Sequence, residues 1–169
     1  EDAVEAVEKR GRRALAAAID VRDEEAVAAL AARVYQEWGR CDLLVNNAAI
    51  APPRPALEES TKRWRLAVDV NLNAPFWFMY HLCPRMQAGR VINVSSVAAV
   101  LPSFGRASYT TTKRALEALS ESLAHDLRGA PGLSDDRRRL VTAVAAQAAL
   151  FVEHARLNRE TRRMFLDII

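Results

Sequence analysis

Cysteine, glycine and lysine are all scarce in this sequence. Its 169 residues include two cysteines, Cys41 and Cys83, far apart and in apolar surroundings. Two such residues do not make a disulfide framework, and a reducing, cytoplasmic setting fits them better. His81 and Cys83 form an H-x-C pair, but no second pair stands at metal-ligand spacing. Two side chains of one helix is the simpler reading, and His125 and His154 are isolated. No apolar run approaches the roughly 20 residues of a membrane helix, so no membrane partner is expected. The first residues, Glu1-Asp2-Ala3-Val4, supply neither the basic nor the apolar part of a signal peptide. The initiator Met is also missing, as expected of a piece of a longer polypeptide. The net charge is only +3, from 24 basic and 21 acidic residues. The densest basic run, Arg137-Arg138-Arg139, is offset by Asp135-Asp136, so no nucleic-acid partner is expected.

Half of the residues are hydrophobic and 27% are charged, enough apolar mass for one globular domain. Residues 2–10 read as a helix stopped by Gly11. Residues 14–19 (Ala-Leu-Ala-Ala-Ala-Ile) are an apolar run that ends at Asp20 and reads as a buried strand. Asp23 caps the next helix, 24–38, with a stripe of Val27, Leu30, Val34 and Trp38 and Gly39 as its stop. Residues 42–46 are a second strand; Leu43, Leu44 and Val45 do not alternate with polar residues, the pattern of a strand covered on both faces. Three prolines make 51–55 a loop. A helical stretch from Ser60 or Thr61 to about Met86 contains Pro75, which should bend it. Residues 90–96 are the third strand, and helix 108–127 has Leu116, Leu119, Leu123 and Leu127 as its spine. Gly129-Ala130-Pro131-Gly132 is a breaker, after which 135–156 and 159–168 read as helices. Strands alternating with helices imply an α/β fold with a parallel sheet.

Tyr109 and Lys113 lie four apart, so they share one helix face. A phenol is a poor proton donor at neutral pH, and an ammonium beside it favours the phenolate. Such a pair can serve as an acid/base for a carbonyl or alcohol. Taken alone, the spacing equally describes a surface tyrosine beside a solvated lysine. Its surroundings sharpen it: Asp20, Asn46 and Ser96 each end a strand, and parallel sheets bind ligands at such ends. Asn71 sits inside a helix, where an unpartnered amide would be costly.

Asn46-Asn47-Ala48, Val68-Asp69-Val70-Asn71, the run from Val91 to Ser96, and Tyr109-x-x-x-Lys113 stand in unbroken order, with Ser96 thirteen positions before Tyr109. In this the chain resembles the short-chain dehydrogenase/reductase family over residues 1–128. The resemblance implies NAD- or NADP-dependent hydride transfer between a small-molecule carbonyl and a secondary alcohol. It assigns Ser96 to the substrate oxygen, Tyr109 to the proton, Lys113 to the tyrosine and the nicotinamide ribose, and Asn71 to a water relay. Asp20 and Val21 match the adenine-contacting pair, and Asn46 and Ala48 the cofactor cleft. The helices near 61–86 and 108–127 match the family's dimer-forming pair, with Trp64, Trp77, Phe78, Leu116 and Leu123 available.

Three departures from the pattern stand out. No T-G-x-x-x-G-x-G turn occurs, although that turn cradles the pyrophosphate, so cofactor binding is expected to be weak. Ala49 replaces a glycine. Residues 129–169 read as a helical tail unrelated to the family. The expected architecture is therefore a partial Rossmann-like sheet of three parallel strands ordered 14–20, 42–46, 90–96, flanked by helices. A non-catalytic interaction protein, or an inactive fragment, is the alternative function.

Overall fold

The computed structural model describes residues 3–129 apart from 52, 87, 88 and 102. Apart from Gly129, the tail read as 129–169, with its helices 135–156 and 159–168, lies outside the described residues. Helix α1 spans Ala3–Glu8 and α2 Glu24–Trp38. Asp23 caps α2 by accepting the Ala26 N–H at 3.1 Å, and Gly39 ends it in the left-handed region at φ 73°, its N–H reaching the Tyr35 carbonyl. Strand β1 (Leu43–Asn46) pairs in parallel with β2 (Arg90–Asn93), Leu43 opposite Arg90 and Asn46 opposite Asn93.

Between the strands lie α3 (Thr61–Val68) and α4 (Ala74–Leu82), separated by a π turn over Asp69–Asn73. Pro75 explains the π turn: its ring would collide with the carbonyl four residues back, and it has no N–H to donate there. The Ala74 N–H instead reaches Asp69, five residues back. The widened turn absorbs the expected bend. Helix α5 (Ala107–Gly129) follows β2.

Both α4 and α5 cover the same face of the sheet, since Asn93 bonds to Met79 of α4 and Ser120 of α5. The core gathers Ala31, Tyr35, Leu44, Met79, Leu82, Cys83, Met86 and Val91, with Leu119 and Leu123 of α5 packed against it. Tyr35 anchors α2 to the end of α4, donating to the Leu82 carbonyl at 2.7 Å; the Arg85 guanidinium lies 3.9 Å above its ring.

The structure corrects three expectations. Residues 14–20 form no strand, so the described sheet has two strands instead of three. Residues 14–20 stand off the β1 edge, and with no ladder partner within reach they stay irregular. A cavity of about 620 Å³ lies between them, walled by Leu15, Ala17, Leu43 and Phe78. The stripe on α2 is also turned by one residue: Val27, Ala31 and Tyr35 are buried, whereas Leu30, Val34 and Trp38 line that cavity. Finally, β1 is covered on one face only. Leu44 and Asn46 are buried, while Leu43 and Val45 remain 53% and 49% exposed.

Leu116 is the residue that seats α5, at 1% exposed. Leu116→Ala is expected to cost about 3 kcal/mol of stability, measured by urea unfolding. A loss below about 1 kcal/mol would mean that α5 is not held by this packing.

Candidate active site at the strand tips

The carboxyl ends of β1 and β2 point toward the first turns of α5. Two loops brace that helix start. The Arg54 N–H bonds to the Gly105 carbonyl, the Arg106 guanidinium to the Ala51 carbonyl, and the Ser108 hydroxyl to the Glu59 carboxylate at 2.7 Å. Gly105 adopts φ 69°, a left-handed conformation that suits glycine.

Lys113 is buried, 2% exposed. Its ammonium donates to the Val94 carbonyl at 2.5 Å and lies 5.8 Å from the Tyr109 ring centroid. Burial pushes its pKa down from 10.5. An ammonium has three donors, and the hydrogen bonds of the described residues use one. Tyr109 is half-buried one turn earlier. Ser96 sits just past β2, its Oγ accepting the Ala98 N–H at 3.2 Å and capping the turn Val97–Ala99. Helix α5 packs on that turn, and Arg114 donates to the Ala99 carbonyl. The sequence-derived Ser96, Tyr109 and Lys113 thus share one end of the sheet.

Other expected site residues are engaged elsewhere. Asn71 is 0% exposed. Its Oδ1 accepts the Ile50 N–H at 2.8 Å, and its Nδ2 donates to the Ile50 carbonyl and to Thr112 Oγ1. The side chain is a clamp between the loop after β1 and α5, with both amide ends committed. Asn46 donates to Asn93 Oδ1 at 2.7 Å and is buried instead of lining a cleft, whereas Ala48 is exposed. Asp20 is gripped by Arg22 through both carboxylate oxygens; this hydrogen bonding holds its carboxyl down at about 2. Val21 beside it is half-buried.

Sequence reasoning missed Asn93, Thr112, Glu117 and Ser120. An amide amid the apolar residues of β2 was a visible signal for Asn93. Glu117, which accepts from the Ser95 hydroxyl at 2.5 Å, lies one turn beyond Lys113 and left only that spacing as a sign.

The family model described as short chain dehydrogenase matches residues 1–130. This chain belongs to the short-chain dehydrogenase family. It is 36% identical over 123 residues to gluconate 5-dehydrogenase of Gluconobacter oxydans, covering 70% of this chain and 48% of the relative. It is 30% identical over 174 aligned positions to the 3-oxoacyl-[acyl-carrier-protein] reductase FabG of Staphylococcus aureus, covering 95% and 71%. A metagenomic short-chain oxidoreductase crystallised with NADP matches with a TM-score of 0.70 and 35% identity, over 74% of this chain and 58% of that one. A short-chain dehydrogenase from Streptomyces avermitilis gives 0.68 and 34%, over 73% and 46%. The chain therefore spans about half the length of several relatives that it matches.

A nicotinamide dinucleotide is the cofactor that this family implies, and the described residues fit one end of it. Lys113 keeps unspent donors beside Tyr109, suited to ribose hydroxyls. Among the described residues, no glycine-rich turn stands at the strand tips to hold a pyrophosphate.

The lysine also predicts a pH dependence. Its folded pKa is lowered and its unfolded pKa is not. Above the folded value, the unfolded chain therefore binds more protons, and stability rises with pH until about 10.5. The stability difference between the wild type and Lys113→Met should shift in favour of the wild type as the pH rises toward about 10.5, read by urea unfolding. A constant difference would show an unburied amine.

Proposed function

We propose that the strand-tip site is the carbonyl end of a nicotinamide-dependent oxidoreductase acting on a small ketone, aldehyde or secondary alcohol, with NAD or NADP as cofactor. The observation that carries this reading is the buried Lys113 ammonium, anchored at Val94 with donors to spare and one helical turn from Tyr109. The nicotinamide, when bound, supplies or accepts the hydride at the substrate carbon. Tyr109 gives its phenolic proton to the carbonyl oxygen in reduction and takes it back in oxidation. Ser96 uses its oxygen to accept from Ala98, so its O–H can donate to that same substrate oxygen. Lys113 holds ribose hydroxyls and stabilises the phenolate left behind.

Asn71 serves this scheme through its main chain. Its amide is spent on Ile50 and Thr112. The α-helical partner of its carbonyl would be Pro75, which has no N–H. That carbonyl is the acceptor suited to a water leading to Lys113. Asp20 and Val21 would meet the adenine, and Asn46 would act by bracing the cleft from below. Ala48 would supply its floor.

With no pyrophosphate cradle among the described residues, weak dinucleotide binding by this chain is the expectation. With NADPH in millimolar excess, Tyr109→Phe should lower kcat/KM for a small ketone at least about a hundredfold while the NADPH dissociation constant barely changes. Equal turnover by the two proteins contradicts the assignment of Tyr109. Low-micromolar NADPH binding by calorimetry would overturn the expectation of a crippled cofactor site.

A second reading, an interaction module, draws on the exposed apolar ridge of Trp64, Phe76 and Tyr80 along α3 and α4. Leu116, expected at that interface, is core instead; Trp77, Phe78 and Leu123 are half-buried. We expect light scattering to give a dimer mass for the wild type and a monomer for Tyr80→Glu. A monomeric wild type removes self-association through this ridge.

A further inference from the structure

Ser95 and Ser96 are adjacent hydroxyls of the same chemistry, yet only one can face the reacting atoms. Successive side chains of extended backbone point to opposite sides. A slip or peptide rotation would exchange the two hydroxyls without changing the composition of the site. Something must therefore select between them, and α5 carries the selector.

Three consecutive residues at the end of β2 are each bound by a different side chain of α5. Asn93 Nδ2 donates to Ser120 Oγ at 2.8 Å. The Val94 carbonyl accepts from Lys113. The Ser95 hydroxyl donates to Glu117 Oε1 at 2.5 Å. Of these ties, only the last acts on a serine, and an ionised carboxylate can only accept. It therefore draws a hydroxyl donor toward α5. Holding Ser95 there turns Ser96 the opposite way, where its Oγ meets the Ala98 N–H. Lys113 and Glu117 share a helix face, yet their hydrogen bonds among the described residues go to different partners, Lys113 to the Val94 carbonyl and Glu117 to the Ser95 hydroxyl.

We propose that Glu117 is a positioning residue which, by binding Ser95, sets Ser96 as the hydroxyl presented to the substrate oxygen. This rests on the oxidoreductase reading for the role of Ser96, but the geometry can be tested without turnover. The direct reporter is the Ala98 amide, whose hydrogen bond exists only while Ser96 faces it.

The test is residue-resolved hydrogen exchange by NMR on the full chain, comparing Glu117→Ala, Glu117→Gln and Ser95→Ala with the wild type. Glutamine keeps an acceptor oxygen and should leave Ala98 protected. Glu117→Ala and Ser95→Ala should speed its exchange roughly tenfold, the loss of one charge-assisted hydrogen bond, while α2 and the middle of α5 keep their protection. Ser95→Ala removes a single oxygen and preserves a readout if Glu117→Ala fails to fold. Unchanged exchange at Ala98, or acceleration spread evenly along α5, overturns the proposal. A confined change in a protein without turnover upholds the positioning of Ser96 and counts against the oxidoreductase reading alone.

Discussion

One buried amine organises this structure. The Lys113 ammonium is removed from water and reaches the main-chain carbonyl of Val94, at the point where β2 gives way to the loop bearing Ser96. A charge in such a place is costly unless its donors find partners. Among the described residues, the Val94 carbonyl is the hydrogen-bond partner that meets it. Everything around the lysine keeps it there: Leu116 seats its helix, the Arg54–Gly105 and Ser108–Glu59 contacts fix the start of that helix, and Asn71 ties the neighbouring Thr112 to the loop after β1.

The polar groups beneath the strand tips form a connected set rather than isolated pairs. Asn46, Asn93 and Ser120 run across both strands into α5, and Ser120 closes the chain on the Leu116 carbonyl at 2.6 Å. Such ladders are stabilising only when complete. They also make register unambiguous, because a shift of one residue would place an amide against Val45 or Ile92. Positional precision at Ser96 and Tyr109 thus comes from buried polar bonds, while the apolar core of Tyr35, Met79 and Leu82 supplies the general stability.

Much of this was legible in the residues. The helix from Glu24 to Trp38 was marked at both ends by Asp23 and Gly39, and the two strands that pair were marked by apolar runs ending in asparagine or serine. The Tyr109–Lys113 spacing, read with Ser96, pointed to one end of the sheet, where the structure brings these residues. Residues 14–20 were misread because an apolar run specifies neither burial nor a ladder partner: none of them is buried, and Ala16, Ala17 and Ala18 are exposed. The side-chain partners of Asn46 and Asn71, namely Asn93 for the first and Ile50 with Thr112 for the second, were not legible, since a sequence does not reveal which way an amide turns. Glu117 left almost no trace, because a lone carboxylate on a helix is ordinary until its serine is seen.

The scarcity of lysine makes the central claim directly measurable. Only Lys9, Lys62 and Lys113 can be acetylated on side chains, and the first two stand exposed. Timed acetylation of the native protein, followed by peptide mass spectrometry, should modify Lys9 and Lys62 rapidly and leave Lys113 unmodified until urea unfolds the chain. Lys113 reacting at the pace of the other two would mean that its amine is not buried at Val94, and the account of the site would fail.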